Sequence, residues 1–409
     1  MAARDRSLLR RTVTSENVMA TELAPVTPSV LRWARESIGA SVEEAAKRAA
    51  VTGERILAWE AGEAEPTLAK LRALAGLYQR PLSIFFLPEP PKTFDALKDF
   101  RRLPGQLDHA WSRPLHKVYR RAAEQQEVAA ELAESDGETL TLEVPAVGQG
   151  ADPEAAAVTA RAALGVSLEQ QFAWTKPDEA LKAWIAAVEG LRVLVLRTSD
   201  VAIDEMRGFS MTGSIPVVVI NALDSSRGQI FTLLHEFAHL MLREGGLCDL
   251  LGPDTGSAGR VEMWCNATAA AVLMPASSFV EEDGVSESRI RVWSDEELAE
   301  LSGKYSVSRE AVLRRLVTLK RASEAFYRAK REEFLAAYQD RREEERARRR
   351  DSTGGPPPYR MVVRDRGRPY VRLVLDAYHR EVITPSSLSA LLGMKLRHLA
   401  SLERELESA

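Results

Sequence analysis

The sequence contains only two cysteines, Cys248 and Cys265, among 409 residues, and no apolar run near the roughly 18 residues of a membrane-spanning helix. Two cysteines are too few for a disulfide framework. The N-terminal segment carries arginines but no apolar core, so it is not a secretory signal. The formal net charge of −4 gives no overall attraction to nucleic acid, so any basic surface has to be local. These absences predict a cytoplasmic protein with no membrane partner.

Breaks in composition divide the chain into several regions, as its length leads us to expect. The clearest breaks are the proline-rich stretch Leu87–Pro91, the turn Ser135–Gly137 and the linker Gly354–Pro358. The predicted segments are a flexible leader over 1–26, a helical domain over 27–91, a helical connector over 92–150, a mixed domain over 151–320, a charged helix over 321–353 and a C-terminal α/β extension over 354–409.

Three apolar stretches have the composition of β-strands. Leu191–Leu196 and Ile215–Ile220 lie in the mixed domain, and Tyr370–Leu375 lies in the C-terminal extension. Because helical patterns surround the first two, the mixed domain is predicted to be an α+β domain. The whole chain is predicted to be mostly helical.

His235-Glu236-Phe237-Ala238-His239 is the motif with the clearest chemistry. It lies in an apolar stretch without glycine or proline from Phe231 to Leu242, which predicts a buried helix. Residues four apart share one helical face, so His235 and His239 can hold one metal ion while Glu236 takes a proton from a metal-activated water. Two satisfied histidines on an ordinary helix are the plain alternative, but unpaired polar groups in an apolar helix are costly.

A catalytic zinc needs a third protein ligand. Glu262 begins a second apolar helix that stops before Pro275, and Asn266 shares its face one turn later. The spacing favours Glu262 as the third ligand and Asn266 as a residue that supports the site. It leaves four rivals open: Cys248, Asp249, Asp254 and Cys265.

Several segments, taken in order, resemble the ImmA/IrrE metallopeptidase family. They are Gly208-Phe209, Gly213–Asn221, Phe231–Leu240 and Glu262–Asn266 with Leu273-Met274-Pro275. The resemblance implies a small thermolysin-like (gluzincin-type) peptidase domain with Glu262 as the acidic ligand. The expected cofactor is Zn²⁺, with Mn²⁺ as the second choice.

The strand at Ile215–Ile220 offers a place for a protein substrate. An extended chain that pairs with the edge of a strand gains affinity through backbone hydrogen bonds. We therefore predict that Ile215, Val217 and Val219 form a substrate-binding strand.

The N-terminal domain has the caps of a helix-turn-helix. Ser41 and Glu44 form a capping box, Thr52 and Thr67 are further N-caps, and Gly62 ends a helix. The stretch resembles the XRE (Cro/repressor-type) helix-turn-helix family, with Ala50 in place of the usual turn glycine. In that fold the start of the second motif helix meets the bases, and Arg55 is the strong donor there.

The balanced charge of this domain does not decide between DNA and a protein as its partner. Residues 27–91 contain eight Lys/Arg and eight Asp/Glu, whereas a DNA-binding module normally has a basic surface. The sequence thus supports two hypotheses. In the first, the chain is a metal-dependent endopeptidase that cleaves a helix-turn-helix repressor or similar regulatory protein in a stress or mobile-element response. In the second, it is a regulator or antitoxin that binds DNA or a partner toxin, with the peptidase domain latent or used for sensing.

Overall fold

The computed structural model describes residues 23–78, 80, 82–90, 111–137, 142–243, 246–247, 257–287, 289–334, 336–337 and 355–407. The chain forms two compact units, and the division between them falls after Lys117, inside one long helix. Each unit has its own hydrophobic core.

The first unit is all-helical. Its elements are α1 (Pro28–Glu36), α2 (Val42–Ala49), α3 (Gly53–Ala61), α4 (Leu68–Tyr78) and a 3₁₀ helix (Leu82–Phe86). Each helix turns one apolar face toward the core, as Leu31 on α1, Ile56 on α3 and Leu71 on α4 show.

The predicted caps of this unit are present. Ser41 and Glu44 form the capping box of α2, and the side chain of Thr52 accepts the Arg55 N–H at the start of α3. Ala50 stands in the turn between α2 and α3 with φ 51°, a left-handed conformation that usually favours glycine. The turn therefore forms with alanine where related motifs have glycine.

The predicted leader ends earlier than residue 26. Ala24 is buried in the helical core, and its N–H donates to the carbonyl of Pro66 at 2.9 Å. Leu23 forms an isolated bridge with Thr67. The prediction of a flexible leader is therefore wrong for residues 23–26, because this backbone pairs with the two residues just before α4. Residues 1–22 lie outside the described part.

The second unit is α+β. Its first helices are the remainder of α5 (Arg113–Ser135), then α6 (Pro153–Leu164), α7 (Leu168–Ala173) and α8 (Pro177–Glu189). Its strands are β1 (Leu194–Thr198), β2 (Gly208–Met211), β3 (Val217–Asn221) and β4 (Gly246–Leu247). The two strands that the sequence placed at 191–196 and 215–220 are present, but β1 and β3 start two or three residues later.

The sheet has the strand order β1-β3-β2-β4. β3 pairs in parallel with β1, Leu194 facing Val217, and antiparallel with β2, Gly208 facing Ile220. β4 pairs antiparallel with β2. β3 is thus an interior strand, and its five residues are all buried.

The helices that follow the sheet fall into two groups. The first contains α9 (Ser226–Met241), α10 (Ser257–Leu273), α11 (Ala276–Phe279), α12 (Asp295–Lys304), α13 (Arg309–Thr318) and α14 (324–334, continuing at 336–337). The second, in the C-terminal extension, contains α15 (Pro358–Arg366), α16 (Arg368–His379), α17 (Pro385–Leu392), a 3₁₀ helix (Leu396–His398) and α18 (Leu399–Glu407).

The C-terminal extension is helical throughout its described residues, so the α/β assignment over 354–409 is wrong. Tyr370–Leu375, predicted as a strand, is the middle of α16. Its buried residues Tyr370, Val371, Val374 and Leu375 have the i, i+1, i+4, i+5 spacing of one helical face. Over six residues this spacing also fits a strand-like apolar run, so the sequence window was too short to separate the two. The overall class is confirmed: a helical helix-turn-helix unit, then a mostly helical α+β unit with a helical extension.

Candidate metal centre

The helix α9 carries His235, Glu236 and His239 in the interior of the second unit. The side chain of Ser225 caps it by accepting the Gly228 N–H at 3.1 Å. α9 packs against α8, α10, β2 and β3, so the three motif side chains are buried, with relative exposures of 1%, 0% and 5%. The apolar stretch in the sequence thus places the motif in the core.

Glu262 on α10 meets both histidines. Its two carboxylate oxygens each lie 3.2 Å from a histidine nitrogen, one from Nε2 of His235 and the other from Nε2 of His239. The two histidine nitrogens are themselves 3.2 Å apart. The three predicted ligands therefore present their lone pairs to one small space.

Asn266 sets the orientation of the first histidine. Its Oδ1 lies 3.0 Å from Nδ1 of His235. Because an amide oxygen only accepts, Nδ1 carries the ring proton and Nε2 is left as a lone pair that faces Glu262. One face of α10 thus supplies both a candidate ligand and the partner of a second one.

Three side chains from other helices fix the C-terminal end of α10. Arg161 donates to the carbonyl of Val272 at 2.7 Å, Gln171 to that of Leu273 at 2.9 Å, and Arg315 to that of Met274 at 2.9 Å. Carbonyls in the last turn of a helix lack intrahelical partners, and cations near them are favoured by the helix dipole. These contacts fix the helix that positions Glu262. No sequence motif predicted them.

Glu236 lies against β2 at the position of Gly208. A Cβ atom on Gly208 would be 2.5 Å from Cγ2 of Thr232, 2.9 Å from the carbonyl oxygen of Val219 and 3.3 Å from Oε1 of Glu236. Only glycine lets β2 approach α9 this closely. The sequence pointed to Gly208 within a motif but not to this reason for it.

The electrostatics of the cluster favour a positive charge. Burial lowers the pKa of His239, but hydrogen bonds with Cys265 and Glu262 outweigh it and raise that pKa to about 11. Burial acts to raise the pKa of Glu262, whereas its close contacts with His235 and His239 hold it well below the usual range. Groups that stabilise a proton so strongly also stabilise a metal cation in its place.

The rival ligands have different outcomes. Cys248, Asp249 and Asp254 lie outside the described residues. Cys265 is buried and hydrogen-bonded with His239, but it does not belong to the set of three converging ligand atoms. The contact between Cys265 and His239 follows from the turn of α10 that also carries Glu262.

The donor set fits a metal ion. Two imidazole nitrogens and a carboxylate are ligands typical of a catalytic zinc. With ligands at about 2.0–2.1 Å in tetrahedral geometry, neighbouring ligand atoms are about 3.3–3.4 Å apart, close to the 3.2 Å found between these atoms. Three ligands leave a fourth position for water or substrate.

The predicted substrate strand is wrong. Val217 and Val219 belong to β3, which is hydrogen-bonded to β1 on one side and to β2 on the other. Ile215 precedes β3, and all three side chains are buried. An extended peptide needs the free edge of a strand, and β3 has none. The order of strands in a sheet is a long-range property that the composition of one strand does not contain.

Arg55 lies at the start of α3, as predicted, with its side chain exposed. Its exposed neighbours on this helix are Glu54, an opposite charge, and Leu57, which is 50% exposed. The structure therefore leaves Arg55 available to a partner but surrounds it with no basic patch on α3.

Two family models match the chain. One is the helix-turn-helix model, over residues 31–85, and the other is the IrrE N-terminal-like domain, over residues 186–317. The protein is a fusion of an XRE-type helix-turn-helix domain with an IrrE-like domain. No curated protein matches the sequence.

The IrrE-like match covers β1 to α13 and so contains all three converging ligands. The family is a metallopeptidase family, and its model ends before α14 and the C-terminal extension. Within the described residues, no helix has the length and apolar character needed to cross a membrane.

Proposed function

We propose that the chain is a metal-dependent endopeptidase, with Zn²⁺ as the preferred cofactor and Mn²⁺ as the alternative. The observation that carries this proposal is the convergence of His235, His239 and Glu262 at tetrahedral spacing beside the buried Glu236. A purely structural histidine pair has no need of a carboxylate that faces both rings. Membership of the IrrE-like domain in a metallopeptidase family supports the same conclusion.

In this proposal His235, His239 and Glu262 hold the cation, and Asn266 keeps the ring of His235 in the tautomer that leaves Nε2 unprotonated. When bound, such a cation acidifies a water molecule and polarises a carbonyl group. The packing of α9 against β2 keeps the surroundings dry, which strengthens these electrostatic effects.

Glu236 is the proton carrier. Its side chain is buried on α9, its charge acts on His239, and β2 at Gly208 limits its movement. It takes a proton from the attacking water and later gives that proton to the leaving amine of the cleaved peptide bond. A general acid–base residue of this kind contributes about 10²–10⁴-fold to the rate.

The substrate in this proposal is a helix-turn-helix repressor or a similar regulatory protein, cut in response to stress or a mobile element. The resemblance to the ImmA/IrrE family implies such a substrate. The XRE-type domain on the same chain supports it, because that domain gives the peptidase its own means of reaching a partner or a DNA site used by a repressor.

Co-expression with the neighbouring gene's product tests this function where that product is a helix-turn-helix repressor. Wild type is expected to give a cleavage product and Glu236→Gln is expected to give none, while both bind zinc equally. Glu300→Gln, which changes an exposed glutamate on α12, is the matched control and should cleave like wild type. A Glu236→Gln protein that still cleaves with metal bound would contradict the proposal.

A second candidate function is that of a transcription regulator or antitoxin, in which the first unit binds DNA or a partner toxin. The exposed Arg55 at the start of α3 favours the DNA form of this function. A mobility-shift assay on promoter DNA over a salt series tests it. Retardation that weakens with salt is expected for phosphate contacts, and its absence would leave only a protein partner for this unit.

A further inference from the structure

In the sheet of the second unit, β1 and β2 lie on the two sides of β3. The C-terminal extension covers the outer side of β1. The N–H of Leu194 donates to Pro216 on the side of β3, so the next peptide group, that of Val195, points outward. Gly367, between α15 and α16, lies against this carbonyl: a Cβ atom there would be only 2.8 Å from the oxygen of Val195. The C-terminal extension thus closes the β1 edge.

The outer side of β2, the side that faces away from β3, lies beside the candidate metal centre. The N–H of Asn221 donates to Arg207, so Arg207 and Phe209 turn their peptide groups toward β3. By alternation, Gly208 and Ser210 turn theirs away from it. Gly208 also lies against Glu236. The outward peptide groups of β2 therefore begin at Gly208, the residue that lies against the proposed proton carrier.

The chain's own β4 occupies this edge. Ser210 faces Gly246 and Phe209 faces Leu247 in antiparallel register. An extended peptide that binds a sheet edge makes the same backbone hydrogen bonds as a neighbouring strand. β4 and a substrate therefore compete for the same N–H and C=O groups of Ser210.

We propose that β4 is a built-in competitor of the substrate: the outer edge of β2 binds an extended protein segment only after β4 has left it. The inference rests on the proposed peptidase function, because it concerns access to that site. In the described part of the chain, two residue pairs hold β4 on β2, whereas five hold β3 on β1. A substrate that pairs along more of β2 can therefore displace β4. Such a competitor keeps weakly pairing peptides away from the edge of β2. A segment that pairs along more of β2 displaces β4 and reaches the site.

A reversible disulfide tests the proposal. Ser210 and Gly246 form a hydrogen-bonded antiparallel pair, in which Cα atoms are about 5.5 Å apart, a common separation for disulfides. The double variant Ser210→Cys/Gly246→Cys, made in the full chain with Cys248→Ser to prevent mispairing, fixes β4 on β2 when oxidised. The zinc-loaded protein is then titrated with two probes, acetohydroxamate and a tripeptide hydroxamate.

The two probes separate the metal site from the strand edge. Acetohydroxamate needs only the metal and should bind the oxidised and reduced forms with equal affinity. The tripeptide hydroxamate also needs the edge, so oxidation should weaken it by at least about tenfold and reduction should restore it, since only the open fraction binds. Equal tripeptide affinity in both forms would overturn this inference alone. Failure of acetohydroxamate to bind the reduced form would contradict the metal centre itself and the inference with it.

A second pair of variants opens the edge without a crosslink. Gly246→Pro removes the N–H that faces Ser210, and Gly246→Ala keeps it. The proline variant should bind the tripeptide hydroxamate about 3–10-fold more tightly than the alanine variant, because β4 leaves more readily. Equal affinities would count against competition by β4, and acetohydroxamate again reports whether the metal site is intact.

Discussion

Two buried glutamates show how the same residue type is used in different ways in the two units. In the helix-turn-helix unit, Glu60 is 3% exposed, and its two oxygens accept from Nε and Nη2 of Arg35 at 2.7 and 2.8 Å. In the IrrE-like domain, Glu262 faces two histidine nitrogens at 3.2 Å. The first carboxylate has a permanent cation beside it. The second faces the lone pairs of two histidine nitrogens.

This difference separates a structural ion pair from a binding site. Arg35 and Glu60 satisfy each other with parallel hydrogen bonds, so nothing further is needed there. At Glu262, three groups that donate electron pairs converge, and only a cation, a proton or a metal ion, stabilises that arrangement. The comparison predicts that the Glu60 pair contributes to stability and the Glu262 group contributes to metal binding, and each variant below tests one side of it.

The largest expected effect is on the stability of the helix-turn-helix unit. Glu60→Ala removes the buried carboxylate from Arg35, which keeps only the exposed Glu36 at 3.6 Å and the carbonyl of Ala40 at 3.2 Å. Breaking a buried pair in this way costs about 3–5 kcal/mol. Denaturant unfolding of the full chain measures the loss. Glu63→Ala, an exposed glutamate just beyond α3, is the control and should change little. A loss below about 1 kcal/mol would place Glu60 among ordinary surface pairs. Zinc affinity should be the same in both variants.

Metal addition should act on the second unit alone. A cation bound only by the folded state raises the free energy of unfolding by about 4 kcal/mol when its concentration is 1,000 times Kd. Calorimetry of the apo and zinc-loaded protein measures the shift, and a chelator should reverse it. Glu262→Ala should abolish it, whereas Glu60→Ala should not. A zinc effect that survives Glu262→Ala would remove Glu262 from the ligand set.

Asn266 tests the residue that orients a ligand. Asn266→Ala leaves Nδ1 of His235 without its acceptor, and losses of this kind weaken metal binding by about 10–100-fold. Competition with a coloured chelator measures the affinity. Asn266→Asp keeps an acceptor oxygen at the same position and should recover most of the loss. Equal affinities for wild type and Asn266→Ala would show that the 3.0 Å contact has no part in binding.

The sequence contained the metal motif because its geometry is local. His235 and His239 are one helical turn apart, so the periodicity of α9 alone brings them together. Glu262 was favoured by a similar argument on α10, and the resemblance to a family then chose it over its rivals. The caps at Ser41 and Thr52 were predictable for the same reason, since each concerns residues within one turn.

The errors concern relations between distant residues, except at Tyr370–Leu375, where the apolar run was too short to separate a helix from a strand. β3 was taken as a substrate-binding edge because its composition is that of a strand, but its neighbours β1 and β2 come from elsewhere in the chain. The strand predicted at Tyr370–Leu375 is a helix whose apolar face packs within the extension. The contacts of Arg161, Gln171 and Arg315 with the end of α10 span up to 111 positions of the chain, and no pattern in the sequence encodes them.

Glu189 is a third kind of buried carboxyl, and its expected effect depends on pH. It ends α8 and accepts the backbone N–H of Arg368 at the start of α16; burial raises its pKa to about 8 despite that bond and the nearby Arg368 and Arg372. A pKa raised above the unfolded value, about 4.3, means that the folded state favours the protonated form. Its stabilising contribution is therefore complete below about pH 4.3 and is lost as the pH rises through 8.

Glu189→Gln imitates the protonated form at every pH. Between pH 5 and 8 the melting temperature of wild type should fall relative to that of the variant, by about 2–4 °C for each kcal/mol lost. Thermal melts of both proteins at each pH measure the difference, with Glu300→Gln as an exposed control. Parallel melting profiles would mean that Glu189 stays ionised in the fold. Glu189 would then be a carboxylate stabilised by Arg368 and Arg372, as Glu60 is stabilised by Arg35.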